Sequence, residues 1–427
     1  MSKLSVAGGA RLEGEVKIGG SKNAALAILA GSLLGEGETV LTNVPPIGDV
    51  YTMIEMMRSL GAKVKVEQDR IIVDATELTC GEAPYELVKK MRASFCVLGP
   101  LLARIGCARV AMPGGCDIGA RPIDFHIKGF QALGTKVRTE HGFVQAEASK
   151  LVGADVYLDF PSYGATQHLM TTACMAEGIT TIQNAASEPE IVNLADYLRA
   201  MGAKIRGDGT SAIHIEGVRE LHGVECRVIS DRVEAGTFAV ASAITRGDVV
   251  IRDVVSAHLE PFTLKLRETG AKVEVNGDWV RVSANGRPRS TDVVTMPHPG
   301  FPTDLQQPLV ALLCLADGTS VVTENVYERR FRYVSELIRM GADIKQEGRT
   351  AIIKGVGKLT GAEVTATDLR AGAALICAGL AAEGLTEIFG LEHIDRGYEN
   401  IELKFEQLGA YVRRTDDARK GIALCSA

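Results

Sequence analysis

The segment Leu60-Gly-Ala-Lys-Val64 decides how this chain is organised, because close copies of it recur along the sequence. The copies are Leu133-Gly-Thr-Lys-Val137, Met201-Gly-Ala-Lys-Ile205, Thr269-Gly-Ala-Lys-Val273, Met340-Gly-Ala-Asp-Ile344 and Leu408-Gly-Ala-Tyr-Val412. The six glycines are 73, 68, 68, 71 and 68 residues apart. A second series of glycines, at positions 37, 106, 178, 247, 318 and 384, keeps nearly the same period. Two registered series of this length predict six copies of one structural unit.

Each copy repeats the same order of predicted elements. Residues 52–60 show apolar side chains at helical spacing and end before Gly61, a residue suited to a helix C-terminus. Two β-rich runs follow at 62–68 and 70–75. Each copy therefore contains an amphipathic helix followed by two strands.

A further helix in each copy is apolar on nearly every side. These six helices are predicted within residues 22–34, 92–105, 164–176, 234–244, 303–316 and 369–382. A helix without a polar face must be buried all round. We therefore expect an α/β fold with two groups of three buried helices, each enclosed by sheets and by the amphipathic helices.

The first strands are predicted to belong beside the last repeat, because residues 4–24 parallel residues 352–373. The domain division is then discontinuous. We expect one domain from residues 1–21 and 230–427, which carries Asp304 and Arg396, and a second from residues 22–229, which carries a loop with Cys116.

Composition sets the class of protein. The 427 residues are 46% hydrophobic and 23% charged, which is typical of a globular chain, and the net charge of −6 gives no general support for nucleic-acid binding. Nine cysteines without a CxxC pair fit reduced thiols in the cytoplasm. The longest uncharged stretch, 371–382, is shorter than the roughly 18 apolar residues of a membrane helix, and the first residues lack a signal-peptide pattern. We expect a cytoplasmic protein without membrane insertion.

The residues that open the buried helices are unusually polar. They are Ser21, Lys22 and Asn23; Lys90 and Arg92; Ser162, Tyr163 and Gly164; Asp231, Arg232 and Glu234; Thr303 and Asp304; and Asp368 and Arg370. Helix N-termini attract anions, so helix starts that share a cleft between the domains would bind phosphate and carboxylate groups. Asp304 and Asp231 also fit plain N-caps, and single cations are commonly solvated surface groups.

Cys116 lies in a Gly-rich stretch, Met112–Pro122, outside the apolar helices that hold Cys96, Cys174, Cys314 and Cys377. Those four thiols are expected to pack in the core. A loop thiol five residues before Arg121 is a candidate for proton transfer or nucleophilic attack, because a nearby cation stabilises thiolate. The glycine motifs lack Walker and dinucleotide spacing. His126 has no evident set of partner ligands, so we expect neither a metal nor a cofactor.

Taken together, a set of motifs resembles the UDP-N-acetylglucosamine enolpyruvyl transferases (1-carboxyvinyltransferases) of the EPSP synthase family. The motifs are Gly20–Asn23, Met91–Ser94, Pro113–Pro122, Glu188–Glu190, Pro302–Asp304, Thr367–Arg370 and His393–Tyr398. The likeness extends over essentially the whole chain. It implies two inside-out α/β barrel domains, each of three repeated units with buried helices and outer sheets, and substrates bound in the interdomain cleft.

The resemblance also implies the reaction. The enolpyruvyl group of phosphoenolpyruvate passes to the 3′-hydroxyl of UDP-N-acetylglucosamine with release of phosphate, as the first committed step of peptidoglycan synthesis. Cys116 is implied to protonate the methylene carbon and to form a covalent adduct, and Asp304 to accept the hydroxyl proton. Lys22 and Arg396 complete the implied catalytic set.

The implied substrate-binding positions surround these groups. They are Lys22, Asn23, Arg92, Arg121, Pro122, Ile123, Asp124, Phe125, Ser162, Tyr163, Gly164, Asp304, Val326, Arg370 and Arg396. Glu188, Arg330 and Asp368 are implied to shape or close the cleft. Two departures remove cations that family members often carry: Gly48 stands near Pro45–Asp49, and Phe160 precedes the Ser162 motif.

Three alternatives stay open. The first is the related transferase that acts on shikimate 3-phosphate, against which the Cys116 loop and the run Arg121–Asp124 argue. The second is a non-catalytic paralogue that binds the UDP-sugar and regulates wall synthesis, which Gly48 keeps open. The third, an RNA-processing enzyme of related topology, is disfavoured by the acidic balance and by the absence of a recognisable histidine nucleophile.

Overall fold

The computed structural model describes residues 2–79, 81–114, 118–119 and 123–415. Contacts divide the chain into two compact units. The Asp304 unit comprises Met1–Ile18, Arg232–Met296 and Gly300–Ala427, and the Lys22 unit comprises Gly19–Asp231 and Pro297–Pro299. Each unit has its own hydrophobic core.

Three four-stranded sheets are described in the Asp304 unit. In spatial order their strands are Glu363–Thr365, Leu385–Phe389, Lys3–Ala7 and Tyr411–Thr415; Lys272–Asn276, Trp279–Ser283, Asp248–Arg252 and Glu13–Lys17; and Val293–Val294, Thr319–Thr323, Thr350–Lys354 and Asp343–Glu347. The N-terminal strand pairs antiparallel with both neighbours, with Leu4 opposite Ile388 and Val6 opposite Val412. The first strand of the chain thus completes the sheet of the last repeat.

The Lys22 unit contains two four-stranded sheets and one three-stranded sheet among its described residues. Their strands are Glu225–Arg227, Glu38–Thr42, Arg70–Asp74 and Lys63–Val66; Lys204–Arg206, Ala212–Glu216, Ile179–Gln183 and Asp155–Tyr157; and Cys107–Ala111, Phe143–Glu147 and Lys136–Glu140. In each four-stranded sheet one edge strand runs parallel to its neighbour, as Asp155–Tyr157 does beside Ile179–Gln183. A parallel pair needs a long crossover, and the buried helix Tyr163–Ala173 supplies it between Asp155–Tyr157 and Ile179–Gln183.

Sheets lie outside and helices inside, as the sequence predicts. Strands such as Ile179–Gln183 alternate buried and exposed side chains, so one sheet face covers the core. The barrel detail of the expected fold is not confirmed: among the described residues no closed barrel is found, because each sheet ends in an edge strand on both sides. Some sheets join strands that are distant in sequence, since Glu225–Arg227 pairs with Glu38–Thr42, and Glu13–Lys17 pairs with Asp248–Arg252.

The buried helices form the predicted two groups of three. They are Arg232–Ile244, Thr303–Leu313 and Leu369–Ala381 in the Asp304 unit, and Lys22–Gly31, Leu98–Ile105 and Tyr163–Ala173 in the Lys22 unit. Every residue from Val233 to Ile244 is buried. Residues 92–105 differ from the prediction, since Arg92–Val97 is a 3₁₀ helix and the α-helix begins only at Leu98. Pro100 lacks an N–H and fits the first turn of this helix better than its interior.

The amphipathic helices are Gly48–Ser59, Asp124–Ala132, Pro189–Ala200, Glu260–Glu268, Val334–Arg339 and Ile401–Gln407. Short helices at Tyr85–Val88, Leu391–Ile394, Ser32–Leu34 and Ser256–Leu259 complete the helical structure described. The repeated glycines leave these helices in the left-handed region, with φ of 106° at Gly61 and 113° at Gly202. That conformation explains why the repeat retains glycine there.

Two linkers run antiparallel beside each other in the Lys22 unit. Ser21 N donates to Ile229 O at 2.6 Å, and Asp231 N donates to Gly19 O at 2.9 Å. A Cβ atom at Gly20 would lie 1.7 Å from the carbonyl oxygen of Asn43, so only glycine fits this approach. The pairing fixes Lys22 and Asp231 side by side.

Four helical cysteines are buried, as predicted, and burial raises the pKa of their thiols to about 11 at Cys96 and about 12 at Cys174, Cys314 and Cys377. Within the described ranges, no helix is both long enough and apolar enough to cross a membrane.

Candidate active site

Asp304 lies in the first turn of the buried helix Thr303–Leu313, and its carboxylate contacts two guanidinium groups. Oδ1 accepts a hydrogen bond from Arg330 Nη2 at 2.7 Å, and Oδ2 accepts one from Arg370 Nε at 3.2 Å. Both arginine side chains are 3% exposed, whereas that of Asp304 is 26% exposed. We call these three residues the Asp304 cluster. Its carboxylate is the accessible part of an otherwise buried ionic group.

Arg330 keeps its charge although it is buried. Burial is the largest single effect and disfavours the charged form, but nearby groups, Asp304 first and then Asp368, together outweigh it, so the pKa of the guanidinium is raised. Its Nε is buried and has no hydrogen-bond acceptor in the described part of the chain. Planar guanidinium forks match phosphate and carboxylate oxygens. Arg330 therefore retains donor capacity that Asp304 does not use.

Asp304 and Asp368 play different parts, although each lies just at the start of an apolar helix. Pro302 is the N-cap of Thr303–Leu313, so Asp304 is the second helical residue, and its side chain contacts the arginines instead of capping. The interpretation of Asp304 as a plain N-cap is therefore wrong. Asp368 is the N-cap of Leu369–Ala381, where Oδ1 accepts from Arg370 N at 3.0 Å and Ala371 N at 3.2 Å. Asp368 thus positions the residue that contacts Asp304.

Sequence reasoning missed Glu324, which is fully buried beside the Asp304 cluster. Oε2 accepts from Thr303 Oγ1 at 2.8 Å, and Oε1 accepts from Thr295 Oγ1 at 2.8 Å, Val326 N at 2.7 Å and Tyr327 N at 3.0 Å. One carboxylate thus ties the start of the helix to the segment that carries Val326. Glu324 could have been found in the sequence, because it is a charged residue directly after the apolar strand Thr319–Thr323.

Arg396 and Tyr398 follow the short helix Leu391–Ile394 in the same unit. The Tyr398 ring lies 5.4 Å from the Arg370 guanidinium, and its hydroxyl is 2.8 Å from Thr237 Oγ1 of the helix Arg232–Ile244. Tyr398 therefore links the sixth residue of the helix Arg232–Ile244 to Arg370, which contacts Asp304. The starts of the helices Thr303–Leu313 and Leu369–Ala381 thus lie together.

Lys22 opens the first buried helix of the Lys22 unit and is held at both ends. Its Nζ lies 3.2 Å from Asp49 Oδ2, with side chains 15% and 5% exposed. Its backbone N–H donates to Asp231 Oδ2 at 3.1 Å, and Ser21 provides the helix N-cap. Asp231 therefore caps the helix of Lys22, a contact that its place before Arg232 did not predict.

Ser162, Tyr163 and Gly164 begin the helix Tyr163–Ala173 close to Asn23. Ser162 is the N-cap and its Oγ accepts from Ala165 N at 3.3 Å. Tyr163 Oη donates to the carbonyl of Asn23 at 3.2 Å. Two of the predicted substrate-binding segments therefore lie together at one end of this unit.

Asp124 and Phe125 begin the helix Asp124–Ala132, with Ile123 at its N-cap position. His126, on the same first turn, lies 2.9 Å from His168 through their Nδ1 atoms, and the two side chains are 7% and 0% exposed. Arg92 acts electrostatically on His126, which places this arginine in the same region. The sequence analysis considered His126 only to reject it as a metal ligand, and it missed the pairing with His168.

A family model described as EPSP synthase (3-phosphoshikimate 1-carboxyvinyltransferase) matches residues 6–405. The chain belongs to the EPSP synthase family. Its similarity to proteins named UDP-N-acetylglucosamine 1-carboxyvinyltransferase is high. It is 55% identical to the one from Carboxydothermus hydrogenoformans over 98% of this chain and 100% of that protein. It is 54% identical to the one from Halalkalibacterium halodurans, over 97% and 94% of the two chains.

Solved structures of the EPSP synthase family share this fold. The enolpyruvyl transferase NikO from Streptomyces tendae superimposes with a TM-score of 0.88 at 26% identity, over 97% of this chain and 99% of NikO. An EPSP synthase from Acinetobacter baumannii gives a TM-score of 0.77 at 19% identity, over 97% of this chain and all of that one. The second likeness bears on the fold alone.

The two departures from the EPSP synthase family motifs have visible surroundings. Gly48 is the first residue of the helix Gly48–Ser59, and the next residue, Asp49, is the partner of Lys22. Phe160 is 37% exposed, and Asp159 beside it forms an ion pair with Lys128 at 3.1 Å. Lys128 therefore brings a cation to the segment that precedes Ser162.

The remaining predicted residues fall into two groups. Glu188 is the N-cap residue of the helix Pro189–Ala200 and is half-buried. Cys116, Arg121 and Pro122 lie outside the described residues. In the ranges that are described, no group of three or more His, Cys, Asp or Glu side chains is arranged to hold a metal ion. The meeting of the two units across a substrate cleft stays a prediction.

Proposed function

We propose that this chain transfers the enolpyruvyl group of phosphoenolpyruvate to the 3′-hydroxyl of UDP-N-acetylglucosamine and releases inorganic phosphate. The observation that carries this proposal is the full-length similarity to proteins named for that activity, at 55%, 54% and 53% identity. In a cell with a peptidoglycan wall this is the first committed step of wall synthesis. Cell shape and division depend on that wall.

The chemistry is addition followed by elimination, and it needs a proton donor and a proton acceptor. A proton added to the methylene carbon makes the adjacent carbon electrophilic, and the sugar hydroxyl attacks that carbon as it loses its own proton. Elimination then removes a proton from the new methyl group and expels phosphate, which restores the double bond. We assign the first protonation to the Cys116 thiol and the hydroxyl proton to Asp304.

The Asp304 cluster supports the second assignment. Two guanidinium groups favour the ionised carboxylate, which is the form that accepts a proton. The carboxylate is also a weaker base as long as Arg330 and Arg370 contact it. A substrate phosphate or carboxylate that draws Arg330 or Arg370 towards itself would weaken these contacts and raise the basicity of Asp304. Binding of the anion and activation of the base are then coupled.

The binding roles follow from charge and position. We assign the phosphate and carboxylate of phosphoenolpyruvate to the cations that the resemblance implies, which are Lys22, Arg92, Arg121, Arg370 and Arg396. Of these, Lys22, Arg92 and Arg370 lie in the first turns of helices. We assign the UDP-sugar to Asn23, Val326 and Asp304, the run Pro122–Phe125, and Ser162–Gly164. The segment Ser162–Gly164 forms the N-terminus of the helix Tyr163–Ala173, and a helix N-terminus favours an anion such as the diphosphate.

The deciding experiment measures phosphate release from phosphoenolpyruvate with either UDP-N-acetylglucosamine or shikimate 3-phosphate as acceptor. We expect phosphate release when UDP-N-acetylglucosamine is the acceptor and none when shikimate 3-phosphate is the acceptor. Release with shikimate 3-phosphate alone would establish the related transferase instead. UDP-sugar binding without release in the presence of both substrates would establish a non-catalytic regulator.

Two variants test the catalytic assignments. Cys116→Ala is expected to abolish turnover, whereas Cys116→Asp retains part of it, because a carboxyl group also delivers a proton. A chain in which Cys116→Ala turns over like wild type would reject the acid role. Asp304→Asn is expected to lower kcat by at least a hundredfold, the effect of removing a general base.

A further inference from the structure

We propose that His126 and His168 form a fixed-tautomer relay that presents the Nε2–H of His126 to a phosphate oxygen of the UDP-sugar beside Gly164. His126 is then a binding residue, and His168 is a positioning residue that acts through it. This inference rests on the proposed function, because it names a contact to that substrate. Nothing in the sequence motifs assigns such a role to either histidine.

The direction of each hydrogen bond follows from one backbone group. Gly99 N–H donates to His168 Nε2 at 2.8 Å, so this nitrogen carries no proton. The proton of the neutral His168 ring is then on Nδ1, which donates to His126 Nδ1 at 2.9 Å. His126 Nδ1 is therefore an acceptor, and the proton of the His126 ring is fixed on Nε2.

Both rings are held neutral and in place. Burial first, and then the charge of Arg92, lowers the pKa of His126 to about 3, and burial lowers that of His168 well below its usual value. Phe95 packs edge-on against both rings, with centroids 5.4 and 5.5 Å away, and Phe130 packs against His168 at 4.8 Å. The relay therefore keeps one tautomer throughout the neutral pH range.

The Nε2 atom of His126 faces the start of the helix Tyr163–Ala173. It lies 3.5 Å from the position that a Cβ atom would take at Gly164, and among the described residues it has no hydrogen-bond partner. Ala165 N and Thr166 N are already satisfied by Ser162, through Oγ and the carbonyl oxygen. Within the same described ranges no acceptor is found for the N–H of Gly164. Two unused donors thus lie together at a helix start where Gly164 has no side chain to cover them.

A phosphate oxygen suits this pair of donors better than a neutral group. Backbone N–H groups and the dipole at a helix start favour an anion, and hydrogen bonds to an anion are stronger than those between neutral groups. The buried side chain of His126, which is 7% exposed, supplies the second donor without a charge to desolvate. The pair therefore matches the diphosphate, the anionic part of the UDP-sugar.

The test compares binding of UDP-N-acetylglucosamine, UDP and uridine by titration calorimetry. His126→Phe keeps a ring but removes the donor, and is expected to weaken UDP-N-acetylglucosamine and UDP by ten- to a hundredfold while uridine changes less than twofold. His126→Gln, whose amide reaches towards the Nε2 position, restores affinity to within about threefold of wild type. His214→Phe is the matched control: it makes the same replacement on the strand Ala212–Glu216 of the same unit and leaves both diphosphate affinities unchanged.

The tautomers are also measurable in the wild-type chain, independently of how the variants fold. With ¹⁵N-labelled histidine, NMR is expected to show a neutral Nε2–H ring at His126, a neutral Nδ1–H ring at His168, and a shift of the His126 Nε2 signal on addition of UDP. An Nδ1–H ring at His126, an unmoved signal with UDP, or equal losses for uridine and UDP in His126→Phe would overturn the relay. Failure of the wild-type chain to bind UDP-N-acetylglucosamine would instead overturn the proposed function, and the relay with it.

Discussion

Replacement of Asp304 by asparagine is expected to destabilise the Asp304 unit, because Arg330 and Arg370 lose a shared counter-charge while both remain 3% exposed. Removing one partner of a buried ion pair costs about 3–5 kcal/mol. The two guanidinium contacts at 2.7 and 3.2 Å favour the upper end of this range, since both cations lose the same carboxylate. The 26% exposure of Asp304 and the retained amide oxygen favour the lower end. We expect a loss of about 3 kcal/mol in the free energy of unfolding.

Urea unfolding followed by tryptophan fluorescence measures this loss. The single tryptophan, Trp279, lies on the strand Trp279–Ser283 of the same unit, so its emission reports on the part of the chain that is changed. Asp248→Asn is the matched control, because Asp248 and Arg281 form a two-bond pair in this unit with side chains 30% and 44% exposed. That surface pair is expected to contribute less than about 1 kcal/mol.

Inorganic phosphate provides the second half of the test. In Asp304→Asn an added anion can take the place of the missing carboxylate between the arginines, so phosphate should raise the unfolding midpoint of the variant more than that of wild type. Equal losses in Asp304→Asn and Asp248→Asn would refute the reasoning. So would equal stabilisation of wild type and Asp304→Asn by phosphate, since the arginines would then need no counter-charge.

Three further predictions concern single groups. Glu324→Gln replaces a carboxylate that accepts four hydrogen bonds, two of them from backbone N–H groups. In steady-state assays this change is expected to raise the KM for the UDP-sugar more than it lowers kcat. An unchanged KM would contradict the positioning role of Glu324. Burial lowers the pKa of His126 to about 3 in the folded chain, so on acidification the unfolded chain binds a proton that the folded chain does not. Between pH 7 and pH 5 the free energy of unfolding of wild type is therefore expected to fall by about 2 kcal/mol more than that of His126→Phe, as measured by urea titration. Equal losses in the two chains would contradict this. Alkylation followed by peptide mass spectrometry is expected to modify Cys116 and the exposed Cys107 but spare the four buried helical thiols, and UDP-sugar with phosphoenolpyruvate should protect Cys116 alone.

The repeat and the buried helices were predictable because they depend on local sequence. A helix without a polar face has one stable environment, and a glycine that ends a helix in the left-handed region leaves a fixed mark in each copy. The arrangement of the sheets around the helices was less predictable, and the barrel detail that the resemblance implies is not confirmed among the described residues. Whether neighbouring sheets join depends on hydrogen bonds between edge strands of different repeats, and residue patterns within one repeat do not specify these bonds.

The candidate site was predictable by residue type but not by partnership. Polar residues at apolar helix starts identified Asp304, Arg370 and Lys22, yet the pairing of Asp304 with Arg330 joins residues 26 positions apart. The histidine pair is separated by 42 positions, and each member alone looks like a core histidine. Such contacts depend on which helices the fold brings together.

In both units, cations at the candidate site form ion pairs with carboxylates of the protein itself. Lys22 is paired with the buried carboxylate of Asp49. Arg330 and Arg370 are paired with the partly exposed carboxylate of Asp304. Long cationic side chains lose rotamer freedom when a ligand orders them, but here internal partners have already fixed them. Under the proposed function, a substrate anion would meet donors that are already in place and would replace an internal carboxylate as their partner. We expect its affinity to be lower than unpaired cations would give. The orientation of the donors would then serve to stabilise the transition state more than the bound ground state.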